Sequence, residues 1–134
     1  MNTLVLRAFA MLLTFQFYLW RGNFAALHDK VRSFPVHRQH RTRNAVAAIC
    51  EAIDLAAIWY PKEVLCLQRS AATACLLKRY GHSAQLVIGA RRSPFKAHAW
   101  VEMGGQVVND KPYVREIYAV LDRCESDSRV EGTP

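Results

Sequence analysis

No two of the four cysteines are spaced C-x-x-C, and the basic residues outnumber the acidic by 18 to 11. Each shortage excludes something. Cys50, Cys66, Cys75 and Cys124 give neither a zinc ribbon nor a thioredoxin-type redox pair. Cys66 and Cys75 fall on what reads as one helix, about two and a half turns apart, so they face opposite ways and cannot bridge. All four are read as thiols of a reducing cytoplasm. His37 and His40 have no cysteine at ligand spacing, so no zinc site is expected, and no metal or other cofactor. There are no internal repeats. Glycine and proline are sparse, at 6 and 5, which excludes a low-complexity chain before the tail. The formal charge of +7 suits anionic partners. No aromatic-interleaved basic motif accompanies it, so nucleic acid is not expected.

Also lacking is an uninterrupted apolar run of the 20 or so residues that a membrane span usually needs. The run from Leu4 to Trp20 is broken by Arg7, Thr14 and Gln16. It has no basic leading region and no small-residue cleavage site follows, which argues against a signal peptide. The reading is a buried or partner-packed helix, with a membrane-associated helix as the alternative.

The 134 residues, 51% of them apolar, are enough for one globular core. Asn23 can cap a second helix that ends before Pro35. Val36 to Arg43 form a basic connector. A third helix runs from about Thr42 or Asn44 to Tyr60, with Ala45, Ile49, Ile53 and Ala56 on one stripe, and Pro61 stops it. A fourth, roughly Val64 to Tyr80, ends at Gly81. The period then changes. Ala84–Ala90, Ala97–Met103 and Gln106–Asn109 read as strands, and Val114–Leu121 as a final one. Helices first and an antiparallel sheet second is an α+β fold. The expected divisions are residues 1–41 (apolar helices and basic connector), 42–124 (core) and 125–134 (disordered tail).

Cys66 falls in the first turn of the fourth helix, where unpaired N–H groups and the helix dipole favour a thiolate. Cys50 and Cys75 lie mid-helix and read as small apolar filler. His98 sits mid-strand where valine would serve better, and an Asn109-Asp110 pair ends the return run. If the turn is a three-residue loop, His98 faces Asp110 directly, with β-carbons about 5 Å apart. A two-residue Gly104-Gly105 turn would instead put them on opposite faces. A carboxylate on one imidazole nitrogen fixes the tautomer and leaves the other to take a thiol proton. Asn109 can cap the strand end or support that site. Trp100 reads as a core aromatic or a cleft lining. Arg91, Arg92 and Lys96 form a basic group beside the site, either solvated charge or a peptide-docking loop.

A helix-start cysteine followed by His and Asp on neighbouring antiparallel strands resembles the transglutaminase-like cysteine-protease fold. Within it, CLQRS from Cys66, YGH from Tyr80, LVIGA from Leu86, AHAWVE from Ala97 and ND at 109–110 resemble the leader peptidases of lasso-peptide biosynthesis. Those are the stand-alone protease half of a two-part leader-removing protein. The resemblance covers about Thr42 to Arg123. It implies Cys66 as nucleophile, His98 as general base and then acid, and Asp110 as the carboxylate that orients it. It further implies a ribosomally made precursor peptide as substrate, a separate leader-binding protein, and an ATP-dependent cyclase acting on the freed amine. Nothing in the chain resembles a winged-helix leader-binding domain. Two rivals remain: acyl transfer on the same fold, and a catalytically silent adaptor for a peptide or the cyclase.

Overall fold

The computed structural model describes residues 3–36, 46–61, 64–92 and 95–124. Residues 37–43 of the basic connector, with His37 and His40, and the tail lie outside the described residues. Four helices come first: α1 (Thr3–Trp20), α2 (Phe24–Ser33), α3 (Val46–Trp59) and α4 (Cys66–Arg79). Then follow β1 (Gln85–Arg91), β2 (Lys96–Met103), β3 (Gln106–Val107), the one-turn α5 (Val114–Ile117) and β4 (Ala119–Cys124). The sheet is antiparallel in the order β3-β2-β1-β4. The α+β arrangement expected from the sequence is the one observed.

α4 is the centre of the molecule. Gln68 and every residue from Ser70 to Lys78 are buried, because α1 and α3 pack on one side and the sheet on the other. Its small residues, Ala71, Ala72 and Ala74, let those layers approach closely. Two long polar side chains on it are buried without loss. Lys78 Nζ donates to the Val31 carbonyl at 2.6 Å, a cation against the carbonyl end of α2. Gln68 Nε2 donates to the Leu12 carbonyl in α1 at 2.8 Å, and its Oε1 accepts from Leu65 N. α1 joins this core along one seam, Val5, Ala8, Leu12 and Phe15. By length and composition α1 could cross a membrane.

The sheet divides its residues by pleat. Leu86, Ile88, Ala99 and Val101 join the helical core. Val87 and Trp100 face the other way, into a smaller cluster closed by Val114, Val107 and Tyr118. At Gly89 the β1–β4 register slips by one residue, a β-bulge. Trp100 lies against that bulge, so close that a β-carbon on Gly89 would be 2.7 Å from the indole.

The expected final strand from Val114 is corrected: Val114–Ile117 is a helical turn, and β4 begins at Ala119. Hydrogen bonds Val114 N to Lys111 O, Glu116 N to Tyr113 O and Tyr118 N to Val114 O close successive turns. The first of these turns encloses Pro112, whose fixed φ suits its second position.

Candidate active site

The β2–β3 turn has two residues. Glu102 pairs with Val107 and Met103 with Gln106. Gly104 and Gly105 take φ of 56° and 81°, the doubly left-handed turn that matches strand twist and favours glycine. The three-residue loop on which His98 would face Asp110 is therefore not formed. The pair meets by another route. The ladder ends with Val108 N donating to Val101 O at 2.9 Å. The next ladder position is filled by a side chain: Val101 N donates to Asn109 Oδ1 at 2.8 Å. Released from the ladder, the chain bends, and Asp110 Oδ2 comes to 2.5 Å from His98 Nε2. The other carboxylate oxygen accepts from Lys111 N at 2.7 Å. A carboxylate that accepts here engages the Nε2 proton of the ring, and in that neutral tautomer Nδ1 keeps its lone pair.

Because β3 ends at Val107, no described strand covers the outer edge of β2 at His98. A cleft of about 270 Å3 opens there, lined by Val64, Cys66, Arg69, Ser70, His98, Ala99, Asn109 and Asp110. Cys66 is the first residue of α4 and is exposed. Arg69, one turn further on, is held by Asp54 of α3. Cys66, His98 and Asp110 thus share one cleft.

Cys50 and Cys75 differ. Cys75 is fully buried. Cys50 donates its S–H to the Val108 carbonyl at 3.6 Å. Burial first, and then the Asp54 carboxylate, push its thiol up to about 11. Cys50 therefore holds the end of the β-ladder as a protonated thiol, and is more than the apolar filler its mid-helix position suggested.

A model of the transglutaminase-like superfamily matches residues 9–123. The chain belongs to that superfamily. It is also 46% identical over 56 residues to the microcin J25-processing protein McjB of Escherichia coli. That stretch is 42% of this chain and 27% of the relative's length. No solved structure matches.

In this transglutaminase-like chain Trp100 does not line the cleft. It is fully buried, its indole N–H donating to the buried Glu102 carboxylate at 2.9 Å. Arg91 and Arg92 line a separate groove with Phe95, Ile117 and Leu121, and Lys96 is exposed at the start of β2. Gln68 has both ends of its amide engaged within the core and is not free to reach a substrate.

Two side chains at the site escaped the sequence reading. Tyr118 packs on the His98 ring, centroids 5.2 Å apart, with the Arg91 guanidinium over its ring at 6.0 Å. No local pattern connects Tyr118 to His98. Ser70 lies four residues after Cys66, so it shares that helix face, a signal available in the sequence. Its hydroxyl donates to the Ala99 carbonyl at 3.0 Å and accepts from Asn109 Nδ2 at 3.1 Å. Asn109 thus supports the site as well as ending the strand. One hydrogen-bonded chain joins α4, the residue after His98 and the residue before Asp110. Asn109→Ala is expected to lower kcat by about 10- to 100-fold with KM little changed, since an ångström of misplacement costs that much. A variant with full kcat would show that the bend holds Asp110 without it.

Proposed function

We propose that the chain is a cysteine endopeptidase that removes the leader from a ribosomally made lasso-precursor peptide, in the cytoplasm. The observation that carries this reading is the His98–Asp110 pair at 2.5 Å, opening on the same cleft as the helix-start Cys66. Superfamily membership and the likeness to McjB support it.

The proposed chemistry runs through these three side chains. His98 Nδ1 takes the Cys66 proton, and Asp110 stabilises the imidazolium through Nε2. The thiolate attacks the scissile carbonyl. The oxyanion forms beside the first turn of α4, where the Cys66 backbone N–H is a donor with no obligatory helical acceptor. His98 then protonates the departing amine, leaving a thioester on Cys66. That departing amine is the free N-terminus of the core peptide. A water that gives its proton to His98 then hydrolyses the thioester, releasing the leader as an acid and the Cys66 sulfur to take its proton back from His98. A leader-binding protein would deliver the precursor, and a cyclase would consume that amine.

Arg91, Arg92 and Lys96, with the apolar groove of Phe95, Ile117 and Leu121, would hold the extended leader. Arg91→Ala should then raise KM about fivefold at unchanged kcat, the mark of a contact made equally in ground and transition states. An unchanged KM would remove the groove from the binding path.

The reading is tested by product mass, using the precursor peptide with its leader-binding partner. Hydrolysis adds one water across the two fragments. An amide-linked product would establish acyl transfer instead. Pathway function that survives Cys66→Ala would establish the adaptor.

A further inference from the structure

The outward face of α1 carries Leu6, Leu13, Phe17 and Trp20, between 50% and 77% exposed, on one stripe. The opposite seam, Val5, Ala8, Leu12 and Phe15, is buried. Beside the stripe, a cavity of about 250 Å3 is lined by Arg7, Ala10, Met11, Thr14, Lys30, Phe34 and Arg79. Three cations from three different helices meet there, and no carboxylate among the described residues lines the cavity. The neighbouring Asp29 is held by Arg32 at 2.8 Å. Lys30 lies over the Phe34 ring at 5.6 Å. Arg7 Nε is buried with no hydrogen-bond partner, a guanidinium donor waiting for an acceptor. Arg21, at the end of the stripe, sits over Phe17 at 5.5 Å.

From these observations we infer that α1 docks the protein on an anionic phospholipid surface, the Arg7–Lys30–Arg79 cavity holding a lipid phosphate. Leucine and aromatic side chains on one face with cations along its border are the makeup of a helix lying in the interface plane. The phosphate supplies what the cavity lacks, an acceptor with negative charge. α1 does not cross the bilayer in this arrangement. Its inner seam is packed into the core, and the Gln68 amide donates to its Leu12 carbonyl. Pulling the helix across would strip both.

The test is co-sedimentation of the full chain with vesicles of phosphatidylcholine, alone or mixed with phosphatidylglycerol, at low and raised salt. It needs no peptide substrate, so its outcome is separate from that of the peptidase reading. Binding to the mixed vesicles that weakens with salt is expected. Arg7→Gln and Arg79→Gln should each weaken it about fivefold, the usual worth of one cation near such a surface. Trp20→Ser should weaken it at either salt concentration. Thermal midpoints of the variants serve as the folding control. Equal sedimentation of wild type and variants would overturn the inference. So would a gain in thermal stability from inorganic phosphate at fixed ionic strength with no vesicle binding, which would make the cavity a site for a free anion. Failure to sediment, with the stripe instead covered by a partner protein, would equally overturn it.

Discussion

Cys66→Ala is expected to lower peptide cleavage by at least about 10^4-fold, with His98→Ala close behind and little added by combining them. In the proposed mechanism nucleophile and base act as a unit, so losing either leaves only binding and oxyanion donors. Asp110→Asn should cost about 10^3- to 10^4-fold with the fold intact, because an amide can hold the ring in the wrong tautomer. The same pair is open to measurement without substrate. Brief treatment with limiting iodoacetamide at neutral pH, followed by intact and peptide mass, should give one fast adduct at Cys66. Cys75 is fully buried, out of the reagent's reach, and the Cys50 thiol is held up near 11, so neither competes at that pH. The fast phase should vanish in Cys66→Ser and slow in His98→Ala. Slow, equal labelling of accessible thiols would show that Cys66 is not activated in the isolated chain.

Gly89→Ala is expected to destabilise the protein by about 2–3 kcal/mol, a large effect for one methyl group, because the site is already filled. The new β-carbon would stand 2.7 Å from Trp100 Cη2 and 3.0 Å from the Ala119 carbonyl. The first is a fully buried ring and the second is backbone, so neither can swing aside. A fall of roughly 10 °C in the thermal midpoint follows from domain-scale unfolding entropies. Activity should fall too, since Trp100 and Tyr118 both pack around His98, with centroids 6.0 and 5.2 Å from its ring. Trp100→Phe removes the outer ring that carries Cη2, so the double variant should be less destabilised than the sum of the two single changes. Strict additivity in that cycle would show that the indole is not what Gly89 accommodates.

Much of the candidate site could be read along the chain because it depends on local geometry. A cysteine just before an amphipathic run falls at a helix start, and a histidine interrupting a β pattern stands out against its neighbours. What could not be read was how the ends meet. The turn was decided by two glycines that fit a two-residue reversal as well as a longer one. The bend that brings Asp110 to His98 depends on the Asn109 amide taking a backbone position in the ladder, and no periodicity encodes that exchange. The bonds of Ser70 to Ala99 and Asn109, the packing of Tyr118 on His98 and the bond from Cys50 to Val108 are long-range meetings set by packing. The helical turn at Val114–Ile117 was missed for the opposite reason: its four residues are too few to show a period, and their apolar content resembles a strand.

The Gln68 amide joins Leu12, in the middle of the first helix, to Leu65, the residue immediately before Cys66. The first helix is thus part of the footing on which the proposed nucleophile stands. Whatever settles on its outer face leans, through two hydrogen bonds, on the backbone that presents the thiol. Engineering at that end of the chain, whether a tag, a fusion or a swapped helix, is therefore a change made to the candidate active site from behind.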